Sequence, residues 1–151
     1  WWAGDWEGTV TESMKLIEMA PNNAYAHYNL GYGHAMQGHD AEAIEAFRKA
    51  VELDPGDPQS KTGLAWAWAR VGQRDSALAA LEGVPAEASL IKEIAIVYGE
   101  LGDLDTAYDY LYMAVEEDPG SIGTLRTDHS ADPLKADPRY PDLLARVGLE
   151  P

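Results

Sequence analysis

Apolar residues recur along this chain at intervals of three and four. Ala43, Ile44, Phe47, Ala50 and Val51 make one such stripe, and Ala107, Tyr108, Leu111, Ala114 and Val115 another. That spacing places them on one face of an α-helix. No stretch alternates as a half-buried strand would, so the pattern predicts an all-α chain, with helices near 5–19, 24–37, 41–53, 58–71, 75–82, 87–101 and 104–117. Gly38, Gly72 and Gly102 stand where a helix ends and the chain reverses, a position suited to positive φ. Pro21, Pro55 and Pro119 close every second helix, because proline cannot continue the hydrogen-bond ladder. Asp54-Pro55-Gly56-Asp57 supplies turn chemistry before the next helix.

The punctuation is periodic. Gly4-Asp5 is followed 34 residues later by Gly38-His39, and 34 after that by Gly72-Gln73. Leu30-Gly31 returns as Leu64-Ala65, while Ala43, Phe47 and Ala50 return as Ala77, Leu81 and Val84. The next step is 30 residues, carrying Leu64 to Ile94, Trp68 to Tyr98, Gly72 to Gly102, Ala77 to Ala107 and Leu81 to Leu111. Repeats of this length indicate stacked helix pairs. The expected organisation is an array over 1–121, made of a half repeat 1–23, a repeat 24–57, a shortened repeat 58–87 and a repeat 88–121. A non-repeating tail, 122–151, follows. Gly31, Ala43 and Ala50 are expected at close helix approaches, with Leu30, Phe47 and Leu53 filling the space beside them. The four residues missing from the third unit amount to about one helical turn, or roughly 6 Å, and predict a bend or tightening after it. Trp1, Trp2 and Trp6 are expected on an uncovered edge open to self-association. Leu143, Leu144 and Val147 can give the tail the apolar face of a terminal cap.

The segment LGYGHAMQGHDAEAIEAFRKAVELDP, Leu30 to Pro55, resembles a tetratricopeptide repeat. His27 and His34 stand at the repeat's two aromatic positions. GDWEGTVTESMKLIEMAPNN, from Gly4, is similar to the second half of such a repeat, with Thr9, Ser13 and Leu16 departing from it. The resemblance implies a right-handed superhelical solenoid of antiparallel helix pairs with a C-terminal capping helix. It also implies a concave face lined by the first helix of each pair: Tyr25, Tyr28, Asn29, Tyr32, Ala35 and Met36, then Gln59, Thr62, Gly63, Trp66 and Arg70, then Ser89, Lys92, Glu93, Ile96 and Glu100. Tyr25, Tyr28, Asn29, Tyr32, Met36, Trp66 and Arg70 are the candidate peptide-binding groove, with stiff aromatic area and an amide able to bond a ligand backbone. Internal packing of the same rings is the competing expectation. Family members that grip a chaperone's C-terminal carboxylate use basic residues where this chain has Gln59, Gly63, Ser89 and Glu93, so that mode is not expected. The tail, with Asp137-Pro138-Arg139-Tyr140 and Leu143-Leu144-Ala145-Arg146-Val147-Gly148-Leu149, is similar to the endings of bacterial repeat-bearing regulators. That similarity implies an effector module upstream and a natural C-terminus near Pro151.

Charge narrows the partners. The chain has 26 acidic against 11 basic residues, net −15. Such a field repels nucleic acid and anionic lipid, and favours solubility or basic partners. No apolar run is long enough to span a membrane. The absence of cysteine excludes disulfides and fits a reducing compartment, with the cytoplasm favoured. A start at Trp1-Trp2 rather than Met is expected of a fragment or processed form. His27 and His34, seven apart on one helix face, are expected to pack between helices rather than bind metal. Asp103-Leu104-Asp105 has the look of a calcium-loop fragment but lacks the remaining spacing, so capping is expected. No phosphate loop, nucleophile elbow or HExxH helix occurs. The expected function is a non-catalytic scaffold, with no cofactor or metal, that binds a protein or peptide within a larger bacterial regulator. Two alternatives are a self-assembly module acting through the N-terminal edge and a small-ligand sensor controlling an attached enzyme.

Overall fold

The structure, a computed structural model, describes residues 4–149. Among them the order is α1 Trp6–Met19, α2 Ala24–Met36, α3 Asp40–Leu53, α4 Pro58–Arg70, α5 Arg74–Leu81, α6 Ala88–Glu100 and α7 Leu104–Glu117. Two 3₁₀ turns, Gly123–Arg126 and His129–Ala131, lead into the short helices α8 Asp132–Lys135 and α9 Tyr140–Arg146. No strand occurs among the described residues. The long helices fall within one residue of the sequence expectation at each end. Asp5, expected inside α1, instead caps it by accepting from the Gly8 N–H at 2.8 Å. Asn23, Asp57 and Asp103 cap α2, α4 and α7 in the same way, each satisfying a backbone donor that has no partner within its helix. Gly38, Gly72 and Gly102 have φ of 78°, 72° and 73°, the left-handed conformation that their turns require.

The chain divides after Glu82 into two compact units. In the first, α1 packs on α2, α2 on α3, α3 on α4 and α4 on α5. Its core is built from small residues around one large ring. Ala26, Ala43, Ala50, Ala65 and Phe47 are all fully buried. A Cβ added at Gly31 would lie 2.9 Å from the Phe47 ring, and one added at Gly63 would lie 2.6 Å from it. The helices can therefore close on Phe47 only because both positions lack side chains. Ala43 is at 0% exposure in the same layer. An Ala43→Leu variant is expected to lose roughly 1–3 kcal/mol through overpacking, read from urea unfolding. An unchanged midpoint would mean that this layer has room to spare.

α5 is 8 residues long, against 14 for α3. The chain leaves the helix through Gly83, at φ 76°, and Pro85, so the last turn and a half present in α3 is not formed.

In the second unit α6 packs on α7, and the tail folds back on both. Leu125, Leu134, Leu143 and Leu144 are buried in that contact, while Val147 is half-buried. Leu134 seats where a Cβ on Gly99 would approach within 2.7 Å, and its carbonyl accepts from the buried Tyr108 hydroxyl at 2.9 Å. The Asp137-Pro138-Arg139 motif has a clear mechanical role. Arg139 forks onto Asp137 through Nε and Nη2 at 2.8 and 2.9 Å, reaches Asp105 through Nη1 at 2.9 Å, and lies 4.3 Å over the Tyr108 ring. Planar bidentate contact of this kind suits guanidinium and carboxylate geometry.

Hydrogen bonds from the Arg139 side chain and then its backbone N–H hold the Asp137 carboxyl down at about 2, against an ordinary 3.8. A carboxyl depressed in the folded state adds stability above its unfolded value and loses it on acidification. The melting temperature of this unit should therefore drop between pH 4 and pH 2. In Asp137→Asn that part of the pH dependence should vanish, and an identical slope in both proteins would show that Arg139 contributes nothing there.

Candidate functional site: the α2–α4 face

α2 reads AYAHYNLGYGHAM and carries no Asp, Glu, Lys or Arg. In a chain of net charge −15, this makes one neutral, aromatic helix face. Tyr25, Asn29, Tyr32 and Met36 recur at helical spacing along one side of it. Tyr25 is 61% exposed, and Asn29, Tyr32 and Met36 are half-buried. No hydrogen bond is made by the Asn29 amide among the described residues.

The structure brings α4 beside this face. The Tyr32 and Trp66 rings lie 5.5 Å apart at 32°, and Trp6 from α1 meets the other side of Tyr32 edge-on at 5.7 Å. Arg70 lies 5.2 Å over Trp66 and its Nε donates to Asp40 at 2.7 Å. That pair is about one-quarter exposed on each side, so its charge is largely cancelled in place. The result is a continuous row, Trp6–Tyr32–Trp66–Arg70–Asp40, that fixes the rotamers of its members.

The seven predicted groove residues thus divide into two layers. Tyr25, Asn29, Tyr32 and Met36 present surface. Trp66 is only 5% exposed and forms the floor, while Tyr28 leans edge-on against Phe47 at 5.5 Å. Arg70 braces the end of the row. Thr62 and Gly63, expected to line the groove, are buried, since Gly63 lies against Phe47 and Tyr28. On α6 the expectation of an open lining also fails. Lys92 donates to Thr124 at 3.1 Å and meets Asp128 at 3.4 Å, Ile96 is buried, and Gly99 receives Leu134. The tail covers that helix face because Leu125 and Leu134 need an apolar seat there.

Trp1 and Trp2 of the expected edge lie outside the described residues. Trp6 is half-buried against Tyr32 and is not open to solvent as expected. The sequence reading missed the Trp6–Tyr32 and Arg70–Asp40 contacts, although Trp6 and Asp40 occupy equivalent places, each two residues after a turn glycine. His27 Nε2 lies 3.0 Å from the Pro21 carbonyl oxygen, and His34 packs against His39 with centroids 5.9 Å apart. Burial pushes the His34 pKa below its ordinary value, with Glu42 opposing and His39 reinforcing the shift. No cluster of metal-ligating side chains occurs among the described residues. No helix among them is long and apolar enough to cross a membrane.

Residues 24–57 match the family model described as Tetratricopeptide repeat. Over 61 residues the chain is 36% identical to the Arabidopsis thaliana protein named Protein CTR9 homolog, covering 40% of this chain and 6% of that one. Over 87 residues it is 30% identical to Photosystem I assembly protein Ycf3 of Rippkaea orientalis, covering 58% of this chain and 48% of that one. The chain therefore spans less than half the length of either relative. A solved structure titled Crystal structure of MamA aligns over 95% of this chain and 85% of its own, with TM-score 0.57 and 22% identity. That likeness is one of fold.

Proposed function

We propose that this chain, whose residues 24–57 match the tetratricopeptide repeat, is a non-catalytic scaffold that holds a peptide or protein segment against the α2–α4 face. The observation that carries the reading is the neutral aromatic face of α2, braced from below by Trp66 and Arg70. Its exposed members are Tyr25, Asn29, Tyr32 and Met36. Rings held in place before binding lose little entropy when a ligand arrives, so contact area there converts well into affinity. The Asn29 amide offers one donor group and one acceptor to an extended backbone. The tail similarity to bacterial regulators supports a place in a larger regulatory protein. The name of one relative, an assembly protein, agrees with a role in bringing proteins together.

The test is capture of partners from the source lysate by the chain and by a Tyr25→Ala/Asn29→Ala variant. Both positions carry exposed or half-exposed surface, so the variant should melt with the parent. Binding of any captured protein should weaken by roughly tenfold or more, the loss expected when interface anchors are truncated. Equal capture by both would remove the face from consideration.

A second reading, self-assembly, has one observation in its favour. Leu16 and Met19, three residues apart on one side of α1, are 40% and 84% exposed, apolar surface of the kind that subunits cover. Light scattering at two concentrations separates the readings: a monomer at both ends the second.

A further inference from the structure

On the side of α2 turned away from Tyr25 and Asn29, a groove of about 440 Å³ opens between α2 and α3. His27 and Leu30 line it from α2 and Ala41 and Ala46 from α3, with Glu42, Glu45 and Lys49 completing the wall.

The chain itself indicates what fills such a groove. The α6–α7 hairpin repeats α2–α3 in length, 13 and 14 residues. The turns are equivalent. The His39 N–H donates to the His34 carbonyl and the Asp103 N–H to the Tyr98 carbonyl, both at 2.9 Å. Ala43 and Ala107 are each fully buried. In this register His34 corresponds to Tyr98 and Ala46 to Tyr110. Tyr98 and Tyr110 stack, with centroids 5.6 Å apart and planes at 16°. The second helix of that hairpin thus supplies a ring that closes the site. In α2–α3 the equivalent residue, Ala46, supplies only a methyl group and lines the groove, while His34 packs instead against His39.

The surroundings set the charge of the occupant. α2 has no charged side chain apart from its histidines. α3 carries Asp40, Glu42, Glu45 and Glu52 against Arg48 and Lys49. Glu45 pairs with Arg48 at 3.0 Å, Glu52 with Lys49 at 3.3 Å and Asp40 with Arg70 at 2.7 Å, which among the described residues leaves Glu42 as the acid of this wall outside an ion pair. The field of the whole chain, net −15, attracts cations to this wall and repels acidic segments.

We infer that this groove is a second docking site, separate from the α2–α4 face, for one aromatic side chain presented by a partner segment of net positive charge. The incoming ring takes the position that Tyr110 holds in its own hairpin and lies against Leu30 and Ala46. A flanking Lys or Arg side chain meets Glu42.

The test is an NMR titration of the ¹⁵N-labelled chain with the peptide acetyl-Lys-Lys-Phe-Lys-Lys-amide. A second peptide with Ala in place of Phe isolates the charge, and an Ala46→Tyr variant supplies the ring from within. Saturable shifts centred on Leu30 and Ala46 are expected. Affinity should drop roughly tenfold or more, both for the Ala peptide and in Ala46→Tyr. Ala46→Tyr should keep or raise the melting temperature. Should it unfold, Ala41→Leu, on an exposed position of the groove wall, serves in its place. Three results would each overturn the inference: no saturable shift at these residues, equal binding of the two peptides, or undiminished binding in the filled variants. Shifts centred on Tyr25 and Asn29 instead would place the peptide on the other face and overturn it equally.

Discussion

A Phe47→Ala variant is expected to lose about 3–5 kcal/mol of stability, enough to unfold many small domains at physiological temperature. Phe47 is fully buried, and its ring fills the space between Gly31 of α2 and Gly63 of α4. Both of its neighbours across the helices are glycines. When the ring is removed, Gly31 and Gly63 have no side chain with which to close the space, so the cavity term should sit at the upper end of its range. Tyr28, which leans on the ring at 5.5 Å, would lose its support as well. The next repeat suggests a rescue, since Leu81 stands in the register of Phe47 and Ala65 in that of Gly31. Gly31→Ala alone should destabilise, because its methyl would lie 2.9 Å from the ring. Gly31→Ala combined with Phe47→Leu should recover part of that loss. Urea unfolding of the parent, Gly31→Ala, Phe47→Leu and the double variant measures the coupling. Additive losses would show that the two positions do not share one packing site.

Leu134→Ala is the second large effect, expected at about 2–5 kcal/mol for a fully buried leucine. Its side chain fills the hollow over Gly99, and its carbonyl accepts from Tyr108, which in turn lies beneath Arg139. Truncation should loosen the tail from α6 and α7 together. Amide exchange checks this directly. Protection should fall at Leu125, Leu143 and Leu144 while the α2–α3 amides keep theirs. A loss confined to the Leu134 position would mean that the tail is held by its ion pairs, and the Arg139–Asp137–Asp105 network would then be its main anchor.

The ends of the seven long helices and the turn glycines were legible in the sequence, because each depends on nearest neighbours in the chain; the tail, expected to give one capping helix, forms two short helices and two 3₁₀ turns. A 3.6-residue period, an Asp or Asn before the first turn, a glycine that must take positive φ and a proline that stops a ladder all act within a few residues. The aromatic positions on α2 were legible for the same reason, since register along one helix decides which side chains share a face.

Contacts between helices were not legible. Trp6 was expected on an open edge and lies against Tyr32. The α6 face was expected to be open and carries the tail. For Trp66 groove lining and internal packing compete in the sequence, and in the structure it is 5% exposed beneath Tyr32. In each case what covers a residue depends on segments 26 to 36 positions away in the chain. Residue order alone specifies an all-helical repeat with a neutral aromatic helix in an acidic chain. Packing of the helices settles which rings reach solvent and which hairpin, with only a methyl group at Ala46, leaves its groove unfilled. Exposure is a property of packed neighbours, and no local pattern records who those neighbours are.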